Sequence, residues 1–205
     1  MAQNYKKESI MKYKSVLSCI FNYAIQIELV SINYAASAYL KNVIGGEASK
    51  EINILNEQEF NNLMKVLENK HILQSIPVYL MAMLGLRNCE VCGLEWKDVD
   101  FNKRVISIKR DRLNIPKKGI VVNKTKTKYS VRDLYVCAAL LDKLKQCKDY
   151  YDMLKKDDDE FDTSDTIYCK INGTPGNPHQ INKLLERFLF EAKCPKISCH
   201  KLRHG

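Results

Sequence analysis

The chain has 205 residues, 45% of them hydrophobic, which is enough to bury a sizeable core and to make one domain, or one domain and part of another. No run approaches the ~18 consecutive apolar residues of a membrane span, and the opening Met1-Ala2-Gln3-Asn4-Tyr5-Lys6-Lys7 lacks the apolar core of a secretory signal, so the expectation is a soluble, cytoplasmic protein. The formal net charge is +9, and it is concentrated: from Lys103 to Arg132, eleven lysines and arginines face one acid, Asp111. Such a segment has the electrostatic footprint of a phosphate-binding surface, although a solvated lysine-rich hairpin would have the same composition.

Residues 3–29 space Ile10, Tyr13, Leu17, Ile20, Phe21, Ala24 and Ile27 three or four apart, one face of an amphipathic helix. A second helical stretch follows near 33–43. Two helices without a third make a poor core, so residues 1–46 read as the tail of a helical domain, and Gly45-Gly46-Glu47-Ala48-Ser49-Lys50 breaks the periodicity and leads into a linker assigned to 47–53. A new unit, 54–205, opens on Asn56 with Glu59 three residues on, a capping-box pair ahead of the stripe Phe60, Leu63, Met64 and Leu67.

The pattern then predicts an apolar helix over about 72–86 with Pro77 near its first turn, and a short helix from Arg87 to about Gly93. Three runs rich in Val, Ile or Tyr, Arg104–Lys109, Gly119–Asn123 and Val131–Val136, predict a small three-stranded antiparallel sheet carrying the basic segment. Helical spacing returns at Ala138, Leu141 and Leu144, and again after the cap Asn177-Pro178 through Ile181, Leu184, Leu185, Phe188 and Leu189. The fold class expected is therefore α+β and mostly helical. The acidic run Asp157-Asp158-Asp159-Glu160 is expected on a loop that faces away from any nucleic acid.

Eight cysteines are present, but a chain this long and apolar needs no disulfide scaffold, and reduced, mostly buried thiols are the expectation. Cys89 and Cys92 form a C-x-x-C that, with Cys194, Cys199 and His200, raises the alternative of a zinc-stabilised interaction protein. The first pair lies in a helical pattern and the second spacing matches no common zinc module, so no metal is expected.

Three motifs stand in order: Gly85-Leu86-Arg87-Asn88-Cys89-Glu90 followed by Leu94-Glu95-Trp96-Lys97-Asp98; Lys126-Thr127-Lys128-Tyr129-Ser130-Val131-Arg132; and His200-Lys201-Leu202-Arg203-His204. Together they resemble the signature of the phage-integrase-type tyrosine recombinases. The resemblance covers about residue 54 to the end, and 1–46 resemble the close of the core-binding domain that precedes the catalytic domain in that family. It implies a multihelical catalytic domain that breaks and rejoins double-stranded DNA through a covalent 3′-phosphotyrosyl intermediate, with further protomers in a synaptic tetramer and no nucleotide cofactor, in keeping with the absence of a Gly-x-x-x-x-Gly-Lys loop.

Residue by residue, the resemblance makes Arg87 and Arg203 the clamp on the scissile phosphate, as a developing oxyanion requires planar, bidentate cations. Lys126 would protonate the departing 5′ oxygen, with Lys124 its rival. His200 would hydrogen-bond the phosphate or assist the proton transfer. Lys124, Lys128 and Arg132 are expected on the DNA backbone, Glu90 and Asp98 as orienting or capping groups, and Trp96 in the core. The family's nucleophilic tyrosine follows the His-x-x-Arg motif, and none of the eleven tyrosines does so here; these residues are thus expected to form a truncated recombinase, inactive alone. The rival readings are a catalytically inactive DNA-binding regulator derived from a recombinase and a type IB topoisomerase.

Overall fold

The computed structural model describes residues 7–36, 54–115, 119–124, 131–162 and 164–203. The chain divides into two compact units, Met1–Glu51 and Ile52–Gly205; the expected linker, 47–53, lies outside the described residues.

In the first unit the helical spacing gives α1, Lys7–Gln26, and the second predicted helix begins as a single 3-10 turn at Tyr34–Ala36; its remainder lies outside the described residues. Asn33 fastens the turn to the helix, donating to Ser18 O (3.1 Å) and Ser18 Oγ (2.9 Å), while Phe21 meets Tyr34 edge-on at 5.8 Å. Leu17, Ile20 and Ile27 of the predicted stripe stay exposed.

The second unit is helical with a small sheet. Its helices are α2 (Glu57–Glu68), α3 (Ile72–Leu84), α4 (Asn88–Gly93), α5 (Ala138–Asp157), α6 (Pro178–Glu191) and α7 (Cys199–Leu202). The capping box opens α2 as its sequence dictates: Asn56 Oδ1 accepts from the Glu59 amide (2.9 Å) and Glu59 Oε2 from the Asn56 amide (2.8 Å). A second box, Asn177 with Gln180 and Pro178 in the first turn, opens α6. Pro77 departs from expectation. It sits in the sixth position of α3, fully within the helix, where burial of the surrounding Ile76, Val78, Tyr79 and Leu80 outweighs the missing N–H.

The sheet is three-stranded, as expected, but its membership differs. β1 (Val99–Asp100), β2 (Val105–Ile108) and β5 (Arg132–Tyr135) pair antiparallel in the order β1-β2-β5, with Ile106 opposite Val99 and Leu134. The run at Gly119 joins a separate two-stranded ribbon, in which β3 (Arg110–Ile115) pairs with β4 (Gly119–Lys124). β3 begins Arg-Asp-Arg, a poor strand sequence by propensity, and takes its place because Arg110 is tied down at its foot. One core runs through the unit: Leu63 and Leu67 of α2, Ile76 and Leu80 of α3, Val91 and Cys92 of α4, Ile106 and Ile108 of β2, Leu140 and Leu144 of α5, and Leu185 and Phe188 of α6. Trp96 is buried there against Tyr151, with ring centroids 5.8 Å apart.

All eight cysteines are free; Cys92, Cys147, Cys169 and Cys199 are buried, Cys89 and Cys194 half-buried, and Cys19 and Cys137 exposed. No helix among the described residues is long and apolar enough to cross a membrane. Among them, too, no three His, Cys, Asp or Glu side chains gather as metal ligands. The acidic run ends α5, and its carboxylates at 157–160 are all exposed.

Candidate active site

The site is built at the abrupt end of α3. Gly85 caps that helix in the left-handed region (φ 62°), a conformation that costs a residue with a side chain about 1–2 kcal/mol. The reversal sends Leu86 into the core and leaves Arg87 as the first residue before α4. A guanidinium has no acceptor to offer a helix N-terminus, so the capping comes from Glu90. Its Oε2 accepts from the Arg87 amide at 2.8 Å, and its Oε1 accepts from Arg87 Nη1 at 2.9 Å. The R-x-x-E spacing is thus a half capping box that also aims the arginine.

The far end of the chain meets the same corner. α7 is a single turn capped by Ser198, whose Oγ accepts from the Lys201 amide. Cys199 and Leu202, three apart, are its buried pair, so His200 and Arg203 are left to the other side. A Cβ on Gly85 would lie 3.4 Å from Arg203 Cγ. The glycine therefore both turns the chain and makes room for the second arginine.

The result is a cavity of about 310 Å³ lined by Arg87, Asn88 and Cys89 of the α4 corner, Asn182 of α6, and Ser198, Cys199, His200 and Arg203 of α7. Three of the four expected catalytic residues, Arg87, His200 and Arg203, share it. Arg203 Nη1 is buried and has no hydrogen-bond partner among the described residues, an orphaned cationic donor, which is costly unless something satisfies it. The fourth expected residue, Lys126, and Lys128 lie outside the described residues. Lys124 ends β4, opposite Arg110.

Much of the basic segment is neutralised internally. Arg110 gives Nη1 to Asp98 Oδ2 (2.6 Å), Glu95 Oε1 (2.9 Å) and Gly93 O (3.3 Å), and Nη2 to Asp98 Oδ1 (3.2 Å). Gly93 permits this, since a Cβ there would lie 2.6 Å from the Arg110 carbonyl oxygen. Asp98 also accepts from the Glu95 amide at 3.0 Å, the capping duty expected of it. Arg132, expected on DNA, is bidentate to Glu90, Nη1 to Oε1 and Nη2 to Oε2, each at 2.9 Å.

Glu90 is only 1% exposed. Burial pushes its carboxyl pKa up, but the hydrogen bonds from Arg132 and the Arg87 amide, with both guanidinium charges, outweigh burial and hold it below the usual carboxylate range. Asp111 of β3 goes the other way. Burial and the Glu90 carboxylate raise its pKa against the pull of Arg87 and Arg132, and its Oδ1 is buried without a partner. Sequence reasoning counted Asp111 only as the lone acid of a basic run. Asn182 and Ser198 had no signal at all, because nothing in their spacing links them to Arg87.

Residues 53–205, well over half of the chain, match the model of the phage integrase family. A tyrosine recombinase XerC-like protein of Caldanaerobacter subterraneus subsp. tengcongensis is 25% identical over 98% of this chain and 55% of its own length, and the ICEBs1 integrase of Bacillus subtilis is 22% identical over 100% and 54%. The chain thus spans about half the length of these relatives. Among solved structures, the Tn1549 transposon integrase in complex with transposon right end DNA superposes with a TM-score of 0.81 at 18% identity, covering 98% of this chain and 66% of that one. A lambda integrase dimer bound to a COC′ core site gives 0.61 at 16% identity, covering 97% and 50%. At such identities the structural likeness speaks for the fold alone, whereas the match across 53–205 fixes the family: the chain belongs to the phage integrase family of tyrosine recombinases.

Proposed function

We propose that this protein is a site-specific DNA recombinase that cuts and rejoins duplex DNA through a tyrosine-linked intermediate, and that the described cavity holds the scissile phosphate. The observation that carries this is the meeting of Arg87, His200 and Arg203, brought together from distant parts of the sequence, around one cavity.

In the reaction a tyrosine hydroxyl, which on the family pattern follows the His-x-x-Arg motif, attacks phosphorus. The new O–P bond forms as the bond to the 5′ oxygen breaks, and the 3′ phosphate stays on the protein. Arg87 and Arg203 stabilise the charge that develops on the non-bridging oxygens. His200 hydrogen-bonds one of them or relays the tyrosine proton. Lys126, or Lys124 in its stead, supplies the proton that leaves with the 5′ oxygen. Attack by a 5′ hydroxyl of another strand reverses these steps and rejoins the DNA, so no external energy source is needed. Lys124 and Lys128 contact the DNA backbone, residues 1–46 close a core-binding domain, and further protomers assemble on the same DNA in the cytoplasm.

The Tn1549 and lambda integrase structures are both DNA complexes, which supports the DNA partner. The test is covalent capture: the full-length protein mixed with a nicked suicide DNA substrate yields a denaturant-stable protein–DNA adduct. An inactive regulator would bind the same DNA and leave no adduct.

A further inference from the structure

Arg132 lies in the basic segment, where a DNA contact is expected, yet its guanidinium is committed to a buried carboxylate. We infer that Arg132 is a positioning residue for the phosphate clamp, acting through Glu90 on Arg87; this rests on the recombinase reading above.

The geometry is a saturated carboxylate. Glu90 accepts four hydrogen bonds, two on each oxygen: Oε1 from Arg87 Nη1 and Arg132 Nη1, Oε2 from the Arg87 amide and Arg132 Nη2, all between 2.8 and 2.9 Å. That uses the full acceptor capacity of an ionised carboxylate. Glu90 therefore has nothing left for substrate, and its orientation is set from two sides. Arg87 alone would hold it through a side chain that is 55% exposed, whereas the Arg132 side chain is 27% exposed and grips it with a parallel fork.

Arg132 starts β5, opposite Ile108 of the fully buried pair Ile106 and Ile108. The brace on Arg87 is thus anchored in the sheet and not in another surface side chain. In sequence, Arg132 stands six residues after Lys126, and the stretch carrying Lys126 and Lys128 runs directly into β5. Arg132 is thus tied both to the sheet and to the carboxylate that aims the first arginine. A fork committed to a buried carboxylate has its charge compensated, so it adds little to the counterion release that governs DNA affinity.

The two roles separate cleanly in the full-length protein. Arg132→Gln and Arg132→Lys are compared with wild type and with Lys128→Gln, measuring DNA affinity against salt and the single-turnover rate of covalent adduct formation at saturating protein. Positioning predicts that Arg132→Gln keeps the salt slope and cuts the adduct rate about 100-fold, as expected for misplaced reacting groups. Arg132→Lys, which retains one ion pair and the fold, loses less. Glu90→Gln combined with Arg132→Gln loses no more than the worse single variant, because both break one link. Lys128→Gln lowers the slope by about one, the signature of a lost phosphate contact. If Arg132→Gln lowers the slope by about one and leaves the adduct rate unchanged, Arg132 is a backbone contact and the inference is overturned. It is also overturned if the variants lose only thermal stability and react at the wild-type rate. If wild type forms no adduct, the recombinase reading fails first and takes this role with it.

Discussion

Arg87 and Arg203 enter one cavity under opposite conditions. Arg87 is exposed but half-neutralised, aligned by a buried carboxylate that Arg132 also grips. Arg203 has a buried Nη1 that nothing among the described residues satisfies. The contrast teaches that the corner around α4 is organised by its own ion pairs, whereas the α7 turn holds a buried donor that no described residue meets. In the basic segment, Arg110 and Arg132 are both committed to buried carboxylates.

The largest expected break in that contrast is Arg203→Ala. Adduct formation in single turnover falls about 10³-fold, since a charge-stabilising donor is lost, while DNA affinity stays within a few-fold because phosphate contacts are spread over many lysines. Melting temperature should hold or rise slightly, as the variant removes an unsatisfied buried donor. Arg87→Ala should lose cleavage to a similar degree but also melt about 2–4 °C lower, because Glu90 loses one of its cations. Equal melting temperatures for the two variants would erase the distinction between a braced and an open arginine.

Gly85→Ala tests how the cavity is shaped. The left-handed backbone costs about 1–2 kcal/mol, and the added methyl presses on Arg203 Cγ at 3.4 Å. Calorimetry should show a melting temperature a few degrees lower, with a larger drop in cleavage than in affinity. Asp111→Asn is the smallest change. The folded state raises the pKa of this carboxyl, so its ionisation opposes folding: the cost is absent below the ordinary carboxylate pKa of about 3.9 and grows as pH rises through the folded value. The variant should therefore melt about 1–2 °C higher at pH 7 and gain nothing at about pH 3.5. A gain of the same size at both pH values would rule out ionisation as the cause.

Much of this was legible in the residues. Helix caps announced themselves at Asn56 and Asn177, because a side-chain oxygen three residues before its partner is a local signal. The pairing of Arg87 with Arg203 came from motif resemblance, not from spacing, since 115 residues of intervening chain leave no periodic trace. What was missed depended on tertiary contact. β3 is not among the predicted runs, and it forms where Arg110 locks onto Asp98 and Glu95. The run at Gly119 was read into the sheet because propensity says what can be a strand, not which strand it pairs with. The sequence shows the charge of Arg132 but not the buried carboxylate that meets it.

The central claim is that two guanidinium groups meet one phosphate, and a charge-neutral substrate tests it most directly. With a methylphosphonate in place of the scissile phosphate, one anionic oxygen is gone and an arginine becomes dispensable. Arg87→Ala and Arg203→Ala should each recover most of the cleavage they lose on ordinary DNA. Variants that remain as inactive on the neutral linkage as on the charged one would mean that these arginines do not stabilise that phosphate.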